Sequence, residues 1–225
     1  MIVFDVDGTL LGGEEYDWRC FDAAFEEAAG MPMPKDYFPL LEEVTAQAIV
    51  HQVLGDIDLE QKTEIELRTR QGFLARLKQV HATDEGAFPP AEGAASLLEE
   101  IRGRGIPLAI ATGDWSGSII FKLQAAGICF EGIPMATASE FYSRADIIAA
   151  AVHRAGGKLE DAVYVGDGVW DLKATQKLGV PFIGCGERRQ RLRDAGAEFV
   201  LDSFEPDEFW EVYGKVRGST SRGRL

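Results

Sequence analysis

Short apolar segments alternate with segments of helical periodicity along much of this chain, and this alternation is the strongest constraint on its fold. The strand-like segments cover residues 2–4, 107–111, 134–136, 162–165 and 182–184, with a further one at 198–201. Apolar residues recur at helical spacing between them, as in Ala94, Leu97, Leu98 and Ile101. Strands that alternate with helices form a parallel sheet covered by helices on both faces. The sequence therefore predicts an α/β fold with a doubly wound parallel sheet.

Polar side chains follow three of these predicted strands. Asp5 and Asp7 come directly after the first, Thr112 follows the second, and Asp167 follows the fourth. The carboxyl ends of parallel strands lie at one edge of the sheet, where open α/β sheets bind their ligands. Asp5 and Asp7 are two residues apart, so on an extended backbone their side chains share a face. Gly8 then allows the chain to turn sharply.

Residues 14–83 show helical spacing and contain no convincing strand. Trp18, Phe21 and Phe25 lie on one face of a first predicted helix. Pro39 can open a second helix, and Asp58 stands at capping-box spacing from Gln61 at the start of a third. This stretch is a small helical domain inserted after the first strand, and we expect it to lie over the crevice at that strand's end.

The domain boundaries follow from this insertion. We expect residues 1–13 and 84–217 to form the α/β core and residues 14–83 to form a helical cap. The two linkers, near residues 11–13 and 83–86, both contain glycine, which can absorb the dihedral changes of a hinge. Residues 218–225 have no apolar face, so we expect a mobile tail.

The charge balance restricts the class of partner. Lys and Arg number 23 against 37 Asp and Glu, a formal net charge of −14, which disfavours binding to nucleic acid or to an anionic membrane. Cys20, Cys129 and Cys185 are far apart and fit no metal or disulfide pattern, so we expect buried thiols in a reducing compartment. No apolar run is long enough to span a membrane and no signal peptide is evident. We therefore expect a cytoplasmic protein, monomeric or weakly dimeric, acting on a small molecule.

Four short motifs resemble those of the haloacid dehalogenase superfamily, in particular its phosphatase-type members with a helical cap, the phosphoglycolate phosphatase and β-phosphoglucomutase group. Residues 5–9 (DVDGT) match the first motif and 111–114 (ATGD) the second. Arg144 stands at the third, where lysine is commoner, and residues 166–171 (GDGVWD) match the fourth. The motifs occur in the family's order, and the matching pattern spans nearly the whole chain before the tail.

The resemblance implies that Asp5 attacks phosphorus and that Asp7 handles the proton of the leaving group. The chemistry of the residues agrees. A carboxylate nucleophile divides hydrolysis into formation and breakdown of an acyl phosphate, and a second acid can protonate the departing alkoxide and then activate water. Dehalogenases proper lack an acid at the position of Asp7, which argues against carbon–halogen chemistry.

The resemblance also implies a Mg²⁺ site formed by the Asp5 carboxylate, the Asp7 backbone carbonyl and Asp167. Several carboxylates in one crevice would otherwise raise one another's pKa and repel a phosphate dianion, and Mg²⁺ with oxygen ligands answers both problems. Asp171 lies four residues beyond Asp167. It either supports the metal loop or is an acid favoured at a helix start by the macrodipole.

Thr112, the Gly113 amide and Arg144 are, by the same resemblance, the groups that bind the transferring phosphoryl oxygens. Asp114 reads more simply as a helix N-cap. Arg144 lies at a predicted helix start, where the macrodipole disfavours a cation. A phosphoryl group with Asp5 would account for it, the alternative being a solvated surface arginine.

Two other functions share these motifs. A phosphosugar mutase of the β-phosphoglucomutase type uses the same two aspartates but returns the phosphoryl group to a sugar. A non-catalytic regulatory or binding protein could keep the fold, although the intact acids, threonine and glycines weigh against it. The sequence favours a Mg²⁺-dependent phosphatase for a small phosphorylated metabolite and does not name that metabolite.

Overall fold

The computed structural model describes residues 1–35, 37, 38 and 41–222, with side chains described up to residue 218. Five parallel strands form one sheet in the order β3-β2-β1-β4-β5. Their bounds are β1 Ile2–Phe4, β2 Leu108–Thr112, β3 Met135–Thr137, β4 Val163–Gly166 and β5 Phe182–Gly184. The sequence-predicted α/β fold is confirmed.

The first strand is the centre of the sheet. Phe4 of β1 is in register with Ile110 of β2 on one side and with Val165 of β4 on the other. Ile2 and Phe4 belong to one apolar cluster, while Val3 belongs to a second on the opposite face. Because alternate residues of a strand point to opposite faces, an uninterrupted apolar run fits a strand covered on both sides.

Helices of the core cover the two faces of the sheet. One face packs against α4 (Ala94–Gly103), α5 (Ser116–Ala125) and α9 (Pro206–Arg222). The other packs against α6 (Arg144–Arg154), α7 (Val169–Leu178) and α8 (Arg189–Asp194). A 3-10 turn at Leu159–Asp161 precedes β4. Within the described ranges, no helix combines the length and apolarity that crossing a membrane requires.

The helical insertion consists of α1 (Glu14–Ala29), α2 (Ala46–Val53) and α3 (Leu59–Thr83). Phe21 of α1 meets Phe73 of α3 edge to face, with 5.7 Å between ring centroids. Gly13 is the N-cap of α1 with φ 85°, and a Cβ there would overlap the carbonyl of Ala87, directly after the second linker. The insertion therefore leaves and rejoins the core through two adjacent chain segments.

Three expectations about elements need correction. The second helix begins at Ala46 and not at Pro39, because Thr45 is its N-cap and accepts a hydrogen bond from the Ala48 amide; Pro39 lies outside the described residues. Residues 198–201 form only a single bridge, between Val200 and Gly184. Cys129 is exposed, in the segment after α5, whereas Cys20 and Cys185 are buried as expected.

The carboxyl-terminal helix extends further than its apolar pattern indicated. We predicted helix to residue 215 and a tail from residue 218, but α9 runs to Arg222. Residues 223–225 lie outside the described part of the chain. The mobility of the tail stays a prediction.

Candidate active site

The residues that the motifs singled out converge at the carboxyl ends of β1, β2 and β4. A cavity of about 70 Å³ lies there between the sheet edge and the helical insertion. Five of the predicted site residues line it, namely Asp5, Asp7, Thr112, Gly113 and Arg144. Asp167 and Asp171 adjoin Asp5, and carboxylate oxygens of the three lie within 4.8 Å of one another.

This group of three acids is almost completely removed from water. Burial raises the pKa of Asp5 to about 7, although the nearby Arg144 guanidinium acts in the opposite direction. Burial likewise raises the pKa of Asp167 well above its usual range, and the Asp5 and Asp171 carboxylates add to the rise. Gly8 has φ 74°, and a Cβ there would overlap the Asp167 carboxylate. The turn after β1 thus needs glycine both for its backbone angle and for this close approach.

The acid cluster fits a hard divalent cation. Its donors are carboxylate oxygens, the ligand type that Mg²⁺ prefers, and the cluster carries more negative charge than the adjacent guanidinium groups offset. The group adds the Asp171 carboxylate to the expected carboxylates of Asp5 and Asp167. The third expected ligand, the backbone carbonyl of Asp7, stays a prediction.

Arg144 is buried and not a surface residue, with 5% relative accessibility. Its Nη1 lies 3.3 Å from Asp5 Oδ1, and its Nε lies 3.3 Å from Asp171 Oδ1. Gly113 has no room for a side chain, since a Cβ would lie 2.7 Å from Arg144 Nη2. The guanidinium therefore spans the motif residues from β1, β2 and α7, and the alternative of a solvated arginine is wrong.

Asp171 has a position and contacts that fit both of the roles that the sequence left open. It is the third residue of α7, where an acid is favoured by the helix macrodipole. Its Oδ2 also accepts a hydrogen bond from the Gly168 amide at 3.1 Å, and its Oδ1 accepts one from the Tyr164 hydroxyl at 3.3 Å. These bonds hold the loop of residues 166–168, which carries Asp167.

Thr112 ends β2 with its hydroxyl 3.2 Å from the Asp114 amide, from which it accepts a hydrogen bond. Asp114 Oδ1 accepts bonds from the Trp115 amide and the Ser118 hydroxyl. The N-cap of α5 is Trp115, and no side chain in the described part of the chain caps this helix. The prediction of Asp114 as the N-cap is therefore wrong, although its bonds hold the turn that precedes α5. The turn leaves Thr112 and Gly113 on the cavity wall beside Asp5.

Lys122 is the largest feature that the sequence analysis missed. It lies in α5 with 1% relative accessibility, and its ammonium pairs with Asp7 Oδ1 at 2.7 Å, with Asp114 Oδ2 at 3.0 Å and with Asp17. Burial lowers the pKa of Lys122, but the three carboxylates outweigh it and the net direction is upward. Burial raises the pKa of Asp7 to about 6, against the opposing effect of this ammonium. The sequence did contain a signal for this buried ammonium, because Lys122 lies beside Ile119 and Leu123 on the apolar face of the predicted helix.

Arg188 is a second residue that no motif indicated. Its Nη1 lies 3.0 Å from Asp167 Oδ2 and 2.7 Å from Glu14 Oε1, at the start of α1. Arg188 therefore joins Asp167, a predicted metal ligand, to the first helix of the insertion. A metal ion bound at Asp167 would compete with Arg188 for its carboxylate.

Comparison with known proteins identifies the family. A sequence profile of haloacid dehalogenase-like hydrolases matches residues 2–185 of the 225. The chain belongs to this family. A phosphoglycolate phosphatase from Caulobacter vibrioides is 27% identical over 214 residues, which cover 90% of this chain and 86% of that one. Protein CbbY from Cupriavidus necator is 27% identical over 198 residues, covering 81% and 76%.

Solved structures of other proteins share the fold. CbbY from Rhodobacter sphaeroides in complex with phosphate superposes with a TM-score of 0.70 and 27% identity, covering 91% of this chain and 94% of that chain. A β-phosphoglucomutase from Clostridium difficile gives a TM-score of 0.75 at 15% identity, covering 97% of each chain, and this likeness concerns the fold alone. The family assignment and the helical insertion after β1 therefore agree with the resemblance read from the motifs.

Proposed function

We propose that this protein is a Mg²⁺-dependent phosphatase that hydrolyses a small phosphate monoester through an aspartyl-phosphate on Asp5. The observation that carries the proposal is the convergence of Asp5, Asp7, Thr112 and Arg144 on one cavity. Phosphatases among the relatives and a relative that binds phosphate support the same reaction class. The name of the Caulobacter relative makes 2-phosphoglycolate one of the first compounds to assay.

In this proposal Asp5 is the nucleophile. Its carboxylate forms a bond to phosphorus as the bond from phosphorus to the ester oxygen breaks, and water later cleaves the acyl phosphate to release inorganic phosphate. The contact from Arg144 to Asp5 Oδ1 restricts the rotation of the carboxylate. Bound Mg²⁺, held by Asp5 and Asp167, would neutralise charge on the phosphoryl oxygens and on these acids.

Asp7 is the acid and base of the proposed reaction. It lines the same cavity as Asp5, and Lys122 holds one of its oxygens at 2.7 Å. Asp7 would give a proton to the departing alkoxide and then take one from the attacking water. A fixed carboxylate suits both steps because proton transfer requires hydrogen-bond distance to the reacting oxygen.

Thr112, Gly113 and Arg144 would bind the phosphoryl group. A hydroxyl, an amide and a guanidinium directed at one cavity can stabilise charge that develops on the equatorial oxygens in the transition state. The helical insertion would exclude water from the site, because α2 meets the second motif directly: the Ala46 amide donates to the Gly113 carbonyl at 2.7 Å.

The decisive test replaces the nucleophile. Asp5→Asn should reduce phosphate release by at least 10³-fold with a retained fold, because an amide does not attack phosphorus. Asp56→Asn, at an exposed position between α2 and α3, is the matched control and should keep wild-type activity. Release of inorganic phosphate from a panel of monoesters with Mg²⁺, and its reversible loss on adding EDTA, are the measurements. Near wild-type turnover by Asp5→Asn would contradict the mechanism.

The same assay separates the two alternatives. A mutase would convert a sugar phosphate into its isomer with little free phosphate, which NMR of the sugar products detects. A non-catalytic protein would release no phosphate from any monoester, with or without Mg²⁺.

A further inference from the structure

Much of the cavity lining outside the motif residues is apolar. This apolar wall is formed mainly by the helical insertion, whose residues on it include Trp18, Phe21, Val44, Ile49 and Phe73. Trp170 adds an aromatic face from α7 in the core. The part of a bound monoester that points away from the phosphoryl group would lie against these side chains.

The charged groups around the cavity already have partners within the protein. Asp7, Asp17 and Asp114 all pair with Lys122. Glu14 pairs with Arg188 at 2.7 Å. Neither a positive nor a negative group on the alcohol would therefore meet an unpaired side chain of opposite charge among these residues.

The cationic side chain on the cavity lining lies where the phosphoryl group of the ligand would bind. Among the described residues that line the cavity, Arg144 is the single cationic side chain, and it contacts Asp5. Asp17 and Asp114 also line the cavity, and their carboxylates would repel a second anionic group on the substrate. An anion buried without a cationic partner is strongly disfavoured.

The volume of the cavity limits the size of the substrate. The cavity measures about 70 Å³, far below the roughly 300–1,000 Å³ of pockets that hold drug-sized ligands. A phosphoryl group and a short chain fill a space of this size, and a nucleoside or a hexose does not fit without opening of the insertion.

We propose that the substrate is the phosphate monoester of a short, uncharged and largely apolar alcohol. The inference rests on the proposed phosphatase function and adds the substrate class to it. Specificity follows from the apolar wall of the insertion and from the ion pairs that leave no cation for a second anionic group.

The test uses two monoesters of similar shape whose alcohols differ in charge. Carbamoylmethyl phosphate and carboxymethyl phosphate (2-phosphoglycolate) differ only in a neutral amide against a carboxylate. With Mg²⁺, kcat/KM should be at least tenfold higher for the amide, and propyl phosphate should also exceed the carboxylate. Equal rates, or faster hydrolysis of the carboxylate, would overturn the inference.

A charge placed on the apolar wall should change this preference. Trp18→Arg should lower the ratio of kcat/KM for the amide to kcat/KM for the carboxylate about tenfold. If Trp18→Arg does not fold, Ala46→Arg, on α2, replaces it in the test. Leu67→Arg, on the exposed surface of α3 and outside the cavity lining, is the matched control and should keep the wild-type ratio. A folded, active Trp18→Arg or Ala46→Arg variant with the wild-type ratio would also overturn the inference.

The outcomes separate this inference from the proposed function. Hydrolysis of other monoesters without the expected preference would contradict the substrate class and leave the phosphatase standing. No phosphate release from any monoester with Mg²⁺ would contradict the proposed function, and the substrate class with it.

Discussion

Arg144 carries the sharpest prediction at the scale of single residues. Its guanidinium contacts Asp5 and Asp171, and it is the cation on the cavity wall. Arg144→Ala should lower kcat/KM by about 10²–10³-fold, a loss of about 2.7–4 kcal/mol of transition-state stabilisation, as for other electrostatic donors. Arg144→Lys should recover part of it by restoring a charge without the planar fork.

The matched control for this change lies on the same helix. Arg154, at the exposed end of α6, pairs with Glu140, so Arg154→Ala should leave kcat/KM unchanged. Steady-state kinetics on one monoester compares the variants. An unchanged kcat/KM in folded Arg144→Ala would mean that another cation binds the phosphoryl group.

Lys122 carries a prediction about stability. Lys122→Met keeps the apolar stem but leaves the carboxylates of Asp7, Asp17 and Asp114 without their shared cation. Removing one partner of a buried ion pair costs about 3–5 kcal/mol, and we expect a loss of that order in the free energy of unfolding, measured with urea. Adding Asp17→Asn to this variant should recover part of the loss by removing one of the buried charges.

An exposed lysine provides the comparison for Lys122. Lys215→Met, in α9, removes an i,i+4 pair with Glu211 and should change the free energy of unfolding by less than about 0.5 kcal/mol. If Lys122→Met lost no more than this control, the three carboxylates would not depend on the ammonium for their burial.

At the scale of elements, the helical insertion touches the core at several points around the cavity. The Thr45 hydroxyl, at the start of α2, donates to the Tyr142 carbonyl at 2.8 Å, and Glu43 accepts from the Arg144 amide at 3.0 Å. Asp17 of α1 reaches Lys122 in α5. A substrate needs these contacts to open, so movement about the two linkers is expected.

This movement predicts a change in amide exchange. Beryllium fluoride with Mg²⁺, a mimic of the phosphorylated aspartate, should favour the state in which the insertion contacts the core. Hydrogen exchange at residues 11–13 and 83–86 should then slow, whereas exchange within α9, away from the linkers, should not change. Unchanged exchange at the linkers with demonstrated binding of the mimic would mean that the insertion is a fixed wall.

At the scale of the whole molecule, the many acids of the chain are paired in part by a few buried or half-buried cations. The net charge is −14, and two groups of three acids face the sheet edge. Arg144 and Arg188 contact one group, and Lys122 lies within the other. Each of these cations joins segments that are distant in sequence, so charge pairing also holds the insertion, the sheet and the motif loops together.

The sequence by itself determined the strand order along the chain, the helical insertion and the motif residues at the sheet edge. These features follow from local signals, namely the spacing of apolar residues, the glycines at turns and the acids placed directly after strands. The sequence also predicted that Asp5, Thr112 and Asp167 would meet, because the carboxyl ends of parallel strands share an edge. Arg144 was added to this group only by the family resemblance.

The tertiary structure alone decided which acids are paired and what the ligand meets beyond the phosphoryl group. Lys122 lies 115 residues from Asp7 along the chain, and no spacing rule links two residues so far apart. The start of α2 was missed for a related reason, since Thr45 both caps the helix and binds Tyr142 in the core. Local pattern places side chains on faces of helices and strands, whereas packing between those elements decides which charges share a buried site.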